Sequence, residues 1–121
     1  NWNSSNGRIQ METGNGSSSG GVSTVATGIV TQDGTTWHML TYALSFADNI
    51  KRMWVDGVEY ATQGIATPDA EMNKAWQIGS MTGNTYGMRG HLAQVSFWGG
   101  LVTNAEVQTI YNDTKSRYPG H

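Results

Sequence analysis

The sequence predicts a mostly β chain, an antiparallel two-sheet sandwich of jelly-roll type with one short C-terminal helix. Three observations carry that expectation. Short runs of alternating or β-branched residues recur between breaks rich in Gly, Asn, Asp and Ser. "RMWVDGVEY" contains an Asp-Gly pair between two alternating arms, the pattern of a two-residue hairpin. A helix start is marked only near the end of the chain. At 121 residues the chain has the length of one domain with one core.

Asn1 to Gly21 is rich in Asn, Ser and Gly and holds one strand-like run, "RIQME". "TGNGSSSGG" reads as a flexible loop. "GVSTVATGIV" is β-rich, and "TQDGTT" is a turn. "WHMLTYAL", Trp37 to Leu44, is the strongest strand pattern. Trp37, Met39, Thr41 and Ala43 share one face, and His38, Leu40, Tyr42 and Leu44 share the other. Both faces are largely apolar, so a central strand covered on both sides is expected. "SFADN" leads into the hairpin at Asp56-Gly57, whose second arm runs to about Gln63. Trp54 alternates with Met53 and Val55 and is expected to point away from them.

"GIATPDAEMNKA" is a polar loop containing Pro68, and "WQIGSM" and "GMRGHLAQVSFWGG" are read as further strands. Thr103 and Glu106 have the spacing of a capping box, with Val102 and Val107 at the staple positions. The helix is therefore expected to start near Asn104. Its buried stripe is expected at Val107, Ile110 and Tyr111. Pro119-Gly120 ends it.

These elements resemble the laminin-G-like, concanavalin A-like jelly-roll domains. The resemblance rests on "DGTTWHMLTYAL", "RMWVDGVEY", "WQIGS" and "GHLAQVSFWGGLVTNAEVQTIYNDTKSRY" in that order, covering about Asp33 to Tyr118. Trp37-His38, Trp54-Val55-Asp56-Gly57, Ile78-Gly79-Ser80, Gly90 and Thr103, Glu106 and Tyr111 occupy the family's places. Trp54 stands where the family often has Tyr, and Gln94 where it often has an acid. The resemblance implies a single domain over residues 1–121 that lacks some upstream strands of the family. With Asn1 rather than Met at its start, the chain is expected to be a cleaved or excised part of a longer product.

Charged residues make up 13% of the chain and the net charge is −2, with no Lys/Arg cluster. No nucleic-acid or membrane partner is expected from that balance. No apolar run reaches the roughly 20 residues of a membrane span. Cysteine is absent, so disulfides and thiolate metal sites are excluded.

Glycosidases of this superfamily need two carboxylates facing one bond, about 5–5.5 Å or roughly 6.5–9.5 Å apart. The glucanase cluster Glu-x-Asp-x-x-Glu does not occur here. Asp69-x-Glu71 is a close acid pair, but it lies in a Pro-containing loop and reads as solvated. No enzyme is expected, and no catalytic residue is assigned. His38, His91 and His121 are too scattered for a ligand set. No cofactor is expected. Calcium at a sandwich rim is the minority reading, with Asp33, Asp48, Asn49 and Asp69 as its loop oxygens.

Exposed aromatics suit sugar stacking or a protein contact. The candidates are Trp54, Tyr60, Tyr86 and Trp98, with Asn49, Asn84 and Gln94 as polar partners; Trp2 is a further ring. Trp37 and Trp76 are read as core. Trp54 is a buried lid, a sugar platform or an interface anchor. The main functional expectation is a non-catalytic structural or adhesion module of a multi-copy assembly, a phage capsid decoration or tail protein on a virion surface. The alternative is a carbohydrate-binding, lectin-like module of a secreted or cell-surface bacterial protein. With few upstream strands to cover one face of "WHMLTYAL", that face is expected to be buried against another chain or against a segment absent from this sequence, with Trp54 or Trp98 near the contact.

Overall fold

The computed structural model describes residues 2–3, 8–13, 22–26, 30, 33–45, 47–63 and 90–120. Among them six strands form two three-stranded antiparallel sheets. The first sheet has the order β1 (Trp2–Asn3), β2 (Arg8–Thr13), β3 (Val22–Ala26). The second has the order β4 (Leu40–Ser45), β5 (Ile50–Val55), β6 (Val58–Gln63). Helix α1 spans Asn104–Thr114 and tightens into a 3-10 turn at Lys115–Arg117. The chain is thus mostly β, antiparallel, with one short helix.

The β5–β6 hairpin turns at Asp56-Gly57, where φ is 51° and 80° respectively. Positive φ at both central residues is the type I′ geometry that matches the twist of the arms. Gly57 is required twice over. An L side chain resists that φ, and a Cβ there would lie 3.1 Å from Cδ1 of Tyr111.

Alternation on β5 splits the core in two. Met53 and Val55 point to one face and cluster with Ile9 of β2 and Val30, which ties the two sheets together. Trp54 points to the other and clusters with Ala43 and Val107 of α1, with Met39 and Val102 packed alongside. The first sheet therefore covers one face of β5, and the helix covers the other. Lys51 shares the Met53 face by its position; it is fully buried, and it is not without an interaction partner.

Helix α1 begins as its capping residues dictate. The Glu106 N–H donates to the Thr103 hydroxyl at 3.3 Å, and the Glu106 carboxylate accepts from the Thr103 N–H at 2.7 Å. The docked stripe is Asn104, Val107 and Tyr111, an i, i+3, i+7 row. Val107 is fully buried under Trp54 and Ala43, while Tyr111 lies over the hairpin tip at Gly57. Ile110, expected on that stripe, instead lines a groove on the flank of the helix.

Two expectations are corrected. The strand expected from Trp37 starts at Leu40 and lies at the edge of its sheet among the described residues. Thr41 and Ala43 are buried toward the helix, but Leu40, Tyr42 and Leu44 are exposed. Two apolar faces in sequence therefore do not mean two covered faces here. The strand expected in "GMRGHLAQVSFWGG" also does not appear over its described residues, 90–100, although they alternate. Alternation marks a strand only where a neighbour pairs with it. "WQIGSM" lies outside the described residues.

Candidate functional site

The sheet-to-helix face holds the densest polar chemistry. Arg52 and Trp54 sit two apart on β5, and Glu59 pairs with Trp54 across the ladder. The Arg52 guanidinium donates twice to Glu59, at 2.7 Å from Nε and 2.7 Å from Nη2. It also lies 4.8 Å from the centre of the Trp54 ring, within cation–π range. Asn104 Oδ1 completes the set by accepting from Trp54 Nε1 at 2.7 Å and from Arg52 Nη2 at 2.9 Å. This network fixes the helix start to the sheet. Trp54 is 0% exposed, so its ring has no free face for a sugar or a partner. Of its three expected roles the structure places it in the buried one, because α1 lies over it.

A second network joins the signature residues at the hairpin tip. The Asp56 carboxylate accepts from the Met39 N–H at 2.8 Å and bonds His38 Nδ1 at 2.7 Å. The Asp56 N–H returns a bond to the Met39 carbonyl at 2.9 Å. His38 and Asp56 are thus a structural clamp between the entry to β4 and the turn. Tyr111 stands beside this clamp; burial first, and the Asp56 charge second, push its phenol above the usual range. Trp37 stacks obliquely on Tyr118 with centroids 5.5 Å apart, and the Trp37 backbone N–H donates to the Pro119 carbonyl at 3.3 Å. The chain end is folded back along the start of β4 in this way.

The loop acids are occupied by their own turns. Asp33 accepts from the N–H groups of Thr35 and Thr36 at 2.8 and 2.7 Å and from the Thr36 hydroxyl at 2.6 Å. The Thr36 bonds hold its carboxyl well below the usual carboxylate range. Asp48 accepts from the Ser45 hydroxyl at 2.6 Å. Asn49 occupies the left-handed region of the same turn, with φ 53°. Among the described residues no three acidic or His side chains stand together to hold a metal ion. Asp69, Asn84 and Tyr86 lie outside the described residues.

The remaining candidates separate. Tyr60 is exposed on β6, at the register irregularity where Trp54 pairs with Glu59 and Met53 with Ala61. Trp98 and Gln94 share the extended segment before α1. Gln94 donates to the Ser96 hydroxyl at 3.1 Å and accepts weakly from the Tyr118 hydroxyl at 3.4 Å. Trp98 is 54% exposed and stands at a groove of about 390 Å³. Val102, Ala105, Glu106, Thr109 and Ile110 form the rest of that groove. Sequence reasoning missed Asn104, Arg52 and Glu59. The position of Asn104 three residues before Val107, on the same helical face, was the available signal.

The family model for the concanavalin A-like lectin/glucanases superfamily matches residues 1–108. The chain belongs to that superfamily. The matched region includes the His38–Asp56 clamp. No curated protein matches the chain. A crystal structure of an S-layer domain-containing protein (residues 221–444) from Clostridium thermocellum ATCC 27405 is similar, with 13% identity and a TM-score of 0.48. The similarity covers 87% of this chain and 52% of that one, so the chain spans about half of that structure.

Proposed function

We propose that the chain is a non-catalytic carbohydrate-binding module, of the jelly-roll sandwich form, belonging to a protein secreted from or displayed on a cell. One observation carries the non-catalytic part. Five described carboxylates are committed to structural bonds: Asp33 and Asp48 in turns, Asp56 in the hairpin clamp, Glu59 on Arg52, and Glu106 in the helix cap. Hydrolysis of a glycoside needs two carboxyl groups aimed at one bond, and these five are aimed at their own backbone or partners. Superfamily membership supports carbohydrate as the ligand class, and exposed Trp98 supplies the kind of surface that class uses.

A second reading is a structural module packed against another chain in a multi-copy assembly. Exposed Leu40, Tyr42 and Leu44 favour it, since contiguous apolar surface marks interfaces. Nothing in the fold or the comparisons favours a virion as that assembly.

Affinity electrophoresis through gels carrying soluble polysaccharides, with reducing-end analysis of the same polymers, tests the proposal. Retarded migration without release of reducing ends is expected. Release of reducing ends that is lost on substituting a single acid contradicts it.

A further inference from the structure

Trp98 is unlike Trp37 and Trp54. Trp54 is buried and hydrogen-bonded, and Trp37 is stacked on Tyr118. Trp98 is half exposed, and among the described residues its indole N–H meets no acceptor. Trp is a costly residue to leave in water, because its ring carries a large apolar area and one donor.

The surroundings of Trp98 are specific. The groove beside it has a volume of about 390 Å³ and is widely open to solvent. Its floor is aliphatic, from Val102, Ala105 and Ile110. Its polar contributors are Glu106 and Thr109, one helical turn apart. Glu106 uses Oε2 for both bonds from Thr103, and among the described residues its second oxygen, Oε1, meets no donor. Among the described residues the groove thus offers one aromatic face, one indole donor and one carboxylate oxygen, and no cation lines it.

We infer that the groove between Trp98 and α1 is the carbohydrate site of this module, and that it takes a neutral pyranose. The inference rests on the proposed function and gives it a location. The pyranose stacks its apolar face on the Trp98 ring. One hydroxyl donates to Glu106 Oε1, and another accepts from the indole N–H. An anionic sugar is disfavoured because Glu106 repels it, and among the described residues no Lys or Arg lines the groove to compensate. A protein surface is the competing occupant, because Leu92, Val95, Phe97 and Leu101 near Trp98 in the chain are also exposed, and the test separates the two.

The test is calorimetric titration of the intact chain with cellohexaose, laminarihexaose, xylohexaose and mannohexaose, with a heparin hexasaccharide as the anionic probe. At least one neutral oligosaccharide is expected to bind. Trp98→Ala is expected to weaken it by roughly tenfold or more while leaving the melting temperature nearly unchanged, as its ring is exposed. Glu106→Gln keeps the capping box, which accepts Gln as well as Glu, and is expected to weaken binding roughly threefold. Equal affinity in wild type and Trp98→Ala overturns the location and leaves the carbohydrate reading standing. No binding by the folded chain overturns both. Preference for heparin overturns the neutral class. Self-association abolished by Trp98→Ala shows the groove to be an interface instead.

Discussion

Replacing Asn104 by Ala removes one oxygen and should destabilise the fold well beyond the usual cost of a surface change. Asn104 Oδ1 is the acceptor for two donors, Trp54 Nε1 at 2.7 Å and Arg52 Nη2 at 2.9 Å. The two losses differ in size. Arg52 keeps its bidentate pair with Glu59 and is partly exposed, so its lost bond contributes little. Trp54 is fully buried, so its N–H loses its one protein acceptor. A buried donor left unpaired costs about 1–3 kcal/mol. Ala gains at most about 0.7 kcal/mol in helix propensity. The net expectation is a loss of about 1–2 kcal/mol, or roughly 3–12 °C in melting temperature for a domain of this size. Urea unfolding followed by far-UV circular dichroism measures it. Asn104→Asp keeps the acceptor beside a guanidinium at a helix N-terminus and should be neutral or stabilising. In a Trp54→Phe background there is no indole N–H to strand, so Asn104→Ala should cost little. The reasoning is refuted if Asn104→Ala costs under about 0.5 kcal/mol, or if its cost is the same in both backgrounds.

Further predictions concern the turn, the cap and acid stability. Gly57→Ala should cost more than about 1 kcal/mol, because φ is positive and the new Cβ meets Tyr111 at 3.1 Å; chemical denaturation reads this, and Tyr111→Ala should relieve only the contact part. Thr103→Ala should cost about 0.5–2 kcal/mol by removing the cap, read in the same assay. Thr103 bonds hold the Glu106 carboxyl below its usual range, and Thr36 bonds do the same for Asp33. Depressed folded-state values mean that their contribution is present above the usual carboxylate range and is lost as pH falls below it. Melting temperature should therefore drop on acidification from about pH 5 toward pH 2, and Asp33→Asn and Thr103→Ala should each flatten that drop.

Local signals were the legible ones. Asp56-Gly57 specified a hairpin because its conformational demand is met by those two residues alone. Thr103 and Glu106 specified the helix start for the same reason, and the two-residue period of β5 correctly sent Trp54 away from Met53 and Val55. Nonlocal partners were not legible. Asn104 lies fifty residues from Trp54 in sequence, and an Asn at a helix start reads as ordinary capping chemistry. The role of Trp54 depended on which element lies over β5, and only the docked helix decides that. Likewise, the apolar pattern of Trp37 to Leu44 fixed which residues share a face but not which face is covered. Of the candidate site, Trp98 and Gln94 were named from composition and exposure expectations; the groove that gives Trp98 a context comes from Val102 to Ile110 and needed the fold.

The central claim is that this member of the superfamily binds carbohydrate without cleaving it. The most direct measurement is a two-dimensional NMR titration of the intact chain with a neutral oligosaccharide that it retains, followed in the same tube by mass analysis of the sugar. The account predicts saturable shifts that include the Trp98 indole N–H, none at the buried Trp54 indole, and an oligosaccharide of unchanged mass after prolonged incubation. Shortened oligosaccharide, or shifts at Trp54 with Trp98 unmoved, contradicts it.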